Sequence, residues 1–389
     1  MVRRLKQLRL VRGLSLESLA AEMGGIVTKQ ALSKYELGQA RPSPVVLNSL
    51  AGALGVKAAY LWSEPSIDCR FIAYRKGSGL AKVEQERVES VVCQMLEDRV
   101  RLQELAQGNT KADFPIKGFK TNRLEDTEGF ARELRDKWNL GLGPISNVTG
   151  TLEDHFIHVF EIEAPARFDG ISAVAYDSEQ NVAAAAVVSR KSLPGERQRL
   201  NLAHELAHLV LDTPENLDEE KAAFRFAGAF LAPDESLFRE LGRKRSLVQS
   251  AELFLLKRKY GMSIQSLVYR LHDLEVISNL QYKQWWMIIN REGWKKKEPL
   301  ELKPEQSEWP RKTVLRALSE GLVTKGDAMK ILGEVVEVQE SITLVERQSF
   351  LKLPLEERRK IMARQAREMA ASYKEGKMQD LETGEILEY

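Results

Sequence analysis

The chain has 389 residues, 43% hydrophobic and 29% charged, with a formal net charge of only +2. This length predicts two to three domains with sizeable cores, and no apolar run approaches the roughly 18 residues of a membrane helix. Two cysteines are too few for a disulfide scaffold, and the opening MVRRLKQLRLVRG is too charged for a secretory signal, so a cytoplasmic protein with reduced thiols and no membrane partner is expected.

Residues 3–12 read as a basic helix. LSLESLAAEMG follows, with Ser15 able to cap it and Leu16, Leu19 and Ala20 on one face. Gly24-Gly25 makes a turn, Thr28 caps the helix TKQALSKYELG, RPSP breaks the chain, and VVLNSLAGALG forms another helix. Short helices joined by a tight turn make a helix-turn-helix. Residues 1–62 hold nine Lys and Arg against three Glu, a net +6 in a nearly neutral chain. A local basic excess is what a phosphate-facing surface requires.

This segment resembles the Cro/C1-type (XRE) repressor domain, whose S/T-x-x-x-[LI]-S-x-[YW]-E-x-G signature stands here as Thr28, Leu32, Ser33, Tyr35, Glu36 and Gly38. In that geometry the third helix enters the major groove of a double-stranded DNA operator. The base- and phosphate-facing candidates are Thr28, Lys29, Gln30, Ser33 and Lys34, with Leu32 in the core. Gln pairs with adenine, and Lys with guanine or phosphate. One module reads only a half-site, which predicts a homodimer.

A connector follows. DCRFIAYRKGSG is a β-like piece with a flexible break, and residues 80–107 form a long amphipathic helix. KADFPIKGFKTN reads as loop and DTEGFARELRDKWNLG as helix. HFIHVFEIE, ISAVAYDS and NVAAAAVV then read as three strands of a small antiparallel sheet, with turns at FDG and DSEQN. His155 and His158 lie three apart in the first of these, so they point to opposite faces and read as structural residues.

RLNLAHELAHLVL carries the strongest signal. It holds H-e-x-x-H as His204, Glu205 and His208, without Gly or Pro. Positions four apart share a helix face, so both imidazoles can hold one Zn²⁺ while Glu205 reaches an activated water, the requirement for hydrolysing a peptide bond. A catalytic zinc needs a third protein ligand and an open position. LDEEKAAFRFAGAFLAP offers two candidates, Glu220 in phase with Ala223, Ala227 and Phe230, and Glu219 beside it. Residues Arg199 to Pro233 resemble the ImmA/IrrE metallopeptidases. The resemblance implies a zincin-like, gluzincin-type fold with His204, His208 and Glu220 as ligands and Glu205 as base. Asp212 stands where many members have His, a position outside the ligand set.

Beyond Pro233 helices dominate. RKYGMSIQSLVYRLHDLEVIS has a Ser263 cap and Leu267 and Leu271 inward, with His272 a surface or capping residue. Trp285 and Trp286 anchor packing, and WKKKEP with LKPEQSEWP reads as a basic, Pro-punctuated linker. FLKLPLEERRKIMARQAREMAASY is one charged amphipathic helix beginning near Pro354, followed by the tail LETGEILEY. It resembles small antitoxin-like proteins with an LPLEERRKI helix, which implies a partner-docking arm.

The expected architecture is α+β: an all-α helix-turn-helix domain (1–66), a connector with a long helix (67–120), a zincin-like peptidase domain with a small sheet and the H-E-x-x-H helix (121–280), a helical region with a linker (281–343), and a C-terminal helix and tail (344–389). The expected function is a DNA-binding regulator whose zinc endopeptidase, held under control, cleaves a repressor or antitoxin-type protein, or its own chain between the domains, in a stress, mobile-element or toxin-antitoxin response. The competing expectation is a non-proteolytic repressor or antitoxin with a structural or sensory metal.

Overall fold

The structure, a computed structural model, describes residues 2–73, 81–107, 114–165, 168, 170–336, 350 and 352–374. The chain divides into two compact units, Met1–Leu322 and Val323–Tyr389. The architecture is α+β.

The first unit opens with helices α1 (Val2–Val11), α2 (Leu16–Glu22), α3 (Lys29–Glu36), α4 (Pro44–Ala53) and α5 (Ala58–Trp62). Ser15 and Thr28 cap α2 and α3 as expected, accepting from Ser18 and Ala31 N–H, and Ser43, within the RPSP break, caps α4 by accepting from Val46 N–H. Leu5, Leu19, Leu32, Leu50 and Leu61 fill a core of their own. Arg9 crosses from α1 to α3 with a two-pronged hydrogen bond to Glu36 (2.6 and 2.8 Å) and a third to the Leu14 carbonyl. Glu36 of the signature therefore clamps α3 to α1.

Four strands form a mixed sheet: β1 (Asp68–Ala73), β3 (Ile157–Ile162), β4 (Gly170–Tyr176) and β5 (Val182–Arg190). Their order is β1-β4-β5-β3. The pairs β1–β4 and β4–β5 are antiparallel, but β3 and β5 are parallel. The sheet is thus not the antiparallel one expected, and the connector supplies its edge strand β1. A second, two-stranded sheet joins β2 (Phe119–Lys120), inside a stretch that reads as loop, to β6 (Leu211–Asp212).

Both faces of the larger sheet are covered, which explains the near-continuous apolar run VAAAAVV. Ala184, Ala186 and Val188 face α6 (Lys82–Gln107), whose Val88, Val92, Leu96 and Val100 pack against them. Ala185 and Val187 face the opposite core, with Ala203, Leu206 and Ala207 of α9 (Gly195–Val210). Helix α6 also carries the N-terminal module. The buried guanidinium of Arg4 is paired with the buried carboxylate of Glu97, donates to the Glu64 carbonyl at 3.0 Å, and Glu97 accepts from Ser66 N–H at 3.0 Å. Lys6 pairs with Glu86 at 2.9 Å. Two cations counted toward a DNA-facing surface therefore face α6 instead.

Helices α7 (Asp126–Lys137), α8 (Val148–Asp154), α10 (Glu219–Leu231), α11 (Asp234–Leu241), α12 (Ser250–Tyr260), α13 (Ile264–Asp273) and α14 (Asn279–Arg291) complete the main core. His155 ends α8 rather than lying in a strand, with its ring stacked 4.2 Å from Trp138. His158 is fully buried against Trp309, and burial beside Arg99 holds its pKa well below the usual imidazole value. Both are structural. His272 bonds Asn279 at 2.7 Å and stacks on Tyr282.

Residues 298–309 are not a free linker. Lys257, fully buried, is held between Glu196 and Glu298. Gly195 N–H donates to the Leu302 carbonyl at 2.8 Å, and Glu305 accepts from Val148 and Thr149 N–H at the start of α8. The strap lies so close that a Cβ on Gly195 would collide with the Lys303 carbonyl. Helix α15 (Trp309–Ser319) then packs on α6. Lys295–Lys297 stay exposed.

In the second unit, α16 (Lys325–Leu332) is capped by Thr324 and ends at a left-handed Gly333. Helix α17 (Leu355–Lys374) begins after Pro354 as expected. The tail LETGEILEY lies outside the described residues.

Candidate metal centre and nucleic-acid face

Helix α9 runs under the sheet with its strap-held N-terminus fixed, and α10 packs along it. Asp218 caps α10 by accepting from Lys221 N–H, which starts the helix at Glu219. The i, i+4 spacing brings the two imidazoles of α9 to one face, with His204 Nε2 and His208 Nε2 3.1 Å apart. Glu220 of α10 meets both, at 3.5 Å from His204 Nε2 and 3.6 Å from His208 Nε2. These three side chains are the cluster of metal-ligating type among the described residues. A tetrahedral ion with bonds of about 2.0–2.1 Å keeps its ligand atoms about 3.3–3.4 Å apart. The observed separations bracket that value, so the donor set fits zinc in both size and chemistry.

The two candidate carboxylates separate in role. Glu220 turns to the Nε2 atoms, whereas Glu219 meets the far nitrogen of His208, Nδ1, at 3.2 Å and Lys117 Nζ at 3.7 Å. An outer carboxylate on a ligand's second nitrogen is the usual device for fixing the tautomer. Glu220 is not deeply buried, since its side chain is 44% exposed. It lies in the first turn of α10, ahead of the buried run Ala222, Ala223, Phe226 and Ala227. Burial opposes charge on His208, but hydrogen bonds to Glu219 and Glu220 and the nearby Glu205 overcome it and raise its pKa to about 9. The potential that favours a proton there favours a dication between the same groups.

Glu205 is buried, 5% exposed, one position on from His204. The first residue of β4 closes over it, because a Cβ at Gly170 would fall within contact of the Glu205 carboxylate. The turn expected at FDG thus ends in a strand residue whose missing side chain makes room for that carboxylate. Phe224, one turn beyond Glu220, lays its ring 4.3 Å from that of His204. Sequence reasoning passed over Gly170, Phe224 and Lys117. A glycine opening a strand signals close approach; the other two carry no such local mark.

In the N-terminal module, Thr28, Lys29, Gln30 and Lys34 are exposed, Ser33 is half-buried and Leu32 is fully buried. The five candidates share one helix and its cap, and Lys29 pairs with the exposed Glu17 of α2. No helix among the described residues is long and apolar enough to cross a membrane.

Comparison with known families gives two matches. Residues 5–61 match the helix-turn-helix family, covering α1 to α5. Residues 154–272 match the IrrE N-terminal-like domain, a metallopeptidase family, covering the strands β3 to β5 and helices α9 to α13. No curated protein matches the chain closely enough to add a relative. The chain is a fusion of an XRE-type helix-turn-helix module with an IrrE/ImmA-like peptidase domain.

Proposed function

We propose that the protein is a DNA-binding transcriptional regulator carrying a zinc-dependent endopeptidase that cleaves a repressor or antitoxin-type protein. The observation that carries this reading is the convergence of His204, His208 and Glu220 beside a buried Glu205. A zinc ion held there would lower the pKa of water to about 7 and polarise a carbonyl. Glu205 takes the proton of the attacking water and passes it to the departing amine. Gly170 leaves room for the Glu205 carboxylate, and Phe224 lies against the His204 ring. Among the described residues no fourth protein ligand joins the three, an arrangement that favours catalysis over a closed structural site. Residues 1–66 are assigned to operator binding as a homodimer, 121–280 to proteolysis, and 344–389 to a regulatory partner.

Metal content tests the centre. The full-length protein is expected to retain one zinc per chain, and His204→Ala or Glu220→Ala to lose it. Glu219→Ala should keep the metal with affinity lowered about 10–100-fold, as for other outer-shell partners. Full retention of zinc by His204→Ala, measured by elemental analysis, overturns the ligand assignment.

DNA binding is tested on the full chain with fragments of its own promoter. Affinity should fall steeply with salt. Gln30→Ala should relax base preference by about 1–3 kcal/mol at one position. Equal affinity for promoter and unrelated fragments at moderate salt contradicts the operator assignment.

A further inference from the structure

Lys117 touches both helices that carry the metal-ligating side chains. Its N–H donates at 2.8 Å to the carbonyl of Leu209, the residue after His208 in α9. Its ammonium lies 3.7 Å from Oε1 of Glu219, the first residue of α10, and that same oxygen meets His208 Nδ1 at 3.2 Å. The backbone at Lys117 is left-handed, with φ +48°, a conformation that long side chains seldom adopt. The pairing beyond it holds the chain in place. β2 runs parallel to β6, with Phe119 beside Leu211 and Lys120 beside Asp212, and Thr121 N–H donates to the Asp212 carbonyl at 2.9 Å. The segment that carries Lys117 is thus stitched to the end of the H-E-x-x-H helix.

We infer, building on the metal centre proposed above, that Lys117 is a positioning residue whose ammonium holds the Glu219 carboxylate on His208 Nδ1. The side chain of Glu219 is half exposed, and a carboxylate so open to water loses rotamer freedom when it stays on one imidazole. A cation anchored on its other side offsets that loss. With Glu219 accepting from Nδ1–H, His208 presents a bare Nε2 on the side of His204 and Glu220. Lys117 is itself partly exposed, so the effect has the size of a surface ion pair. The left-handed backbone provides a control, because glycine at 117 relieves the backbone, keeps its N–H and removes the ammonium.

The test measures zinc affinity of the full-length protein by competition with a chromophoric chelator. It also follows, in the zinc-loaded protein with labelled histidine, the proton NMR signal of His208 Nδ1–H, identified by its shift in Glu219→Ala. Lys117→Met and Lys117→Gly are each expected to weaken zinc binding about 5-fold and to speed exchange of that proton with water. Lys117→Arg, which keeps the charge, should stay within about twofold of the wild type. A residue acting only through its backbone would leave Lys117→Gly at least as tight as the wild type. Circular dichroism establishes that the variants fold. Unchanged zinc affinity in Lys117→Met or Lys117→Gly, or an equal loss in Lys117→Arg, overturns the inference while the metal centre stands. A wild type that binds no zinc overturns the metal centre, and the role of Lys117 falls with it.

Discussion

Glu205→Gln is expected to abolish cleavage of the cognate protein while leaving zinc content and fold unchanged. A positioned general base contributes about 10²–10⁴-fold, and glutamine keeps the shape but cannot take a proton. Products from the wild type and from Glu205→Gln, expressed in the native host, would be compared by mass spectrometry. Gly170→Ala should reproduce part of the loss by a different route, because its methyl group must displace the Glu205 carboxylate. A long flexible side chain yields cheaply, so Gly170→Ala should cost activity and little stability. Cleavage by Glu205→Gln at the wild-type rate refutes the assigned base. Zinc in both proteins with no product from either favours a structural or sensory centre.

Breaking the Arg4–Glu97 pair is expected to destabilise the chain strongly. Both side chains are about 1% exposed, and removing one partner of such a pair strands a buried charge at a cost of about 3–5 kcal/mol. Glu97→Ala should therefore shift chemical unfolding far more than Glu86→Ala, whose pair with Lys6 is exposed and worth at most about 1 kcal/mol. Replacing Arg4 and Glu97 together by Met and Leu should recover most of the loss. Burial opposes ionisation of Glu97, but Arg4 and the Ser66 N–H outweigh it and hold its pKa below the ordinary value. The sign follows from linkage. Its contribution is complete above the unfolded carboxylate pKa of about 4.3 and is lost as pH falls through the lower folded value. Acid should then unfold the wild type with a step that the Met/Leu double variant lacks. A loss under about 1 kcal/mol in Glu97→Ala would show that the junction contributes little.

What the sequence disclosed was local. The H-E-x-x-H spacing, the caps at Ser15 and Thr28, and the stripe that phases Glu220 with Ala223 and Ala227 all depend on residues within a few turns of one another. The parallel pairing of β3 with β5 and the recruitment of β1 to the sheet depend on long-range packing, which leaves no period in the sequence. His155 was misplaced because an apolar run beginning HFI reads as a strand from its first residue, while Asn147 caps a helix that carries the chain to Asp154. The different placement of Glu219 and Glu220 depends on the direction in which α10 starts, which Asp218 sets by capping it. The net +6 of residues 1–62 overstated the charge available to DNA, since no local count can register that Glu97 and Glu86 lie opposite Arg4 and Lys6.

The strap–helix–module arrangement also bears on how such a chain can be rebuilt. A recombination that exchanged residues 1–66 for another helix-turn-helix would leave buried Glu97 with only its longer contact to Arg101, 3.9 Å away, unless the newcomer supplied an arginine at the same place on its first helix. Successful swaps should therefore be confined to modules that already carry that arginine, or to chains in which position 97 has become apolar. The module and the body of the chain are joined through a solvent-excluded charge pair, so taking away either half leaves the other buried without its main partner.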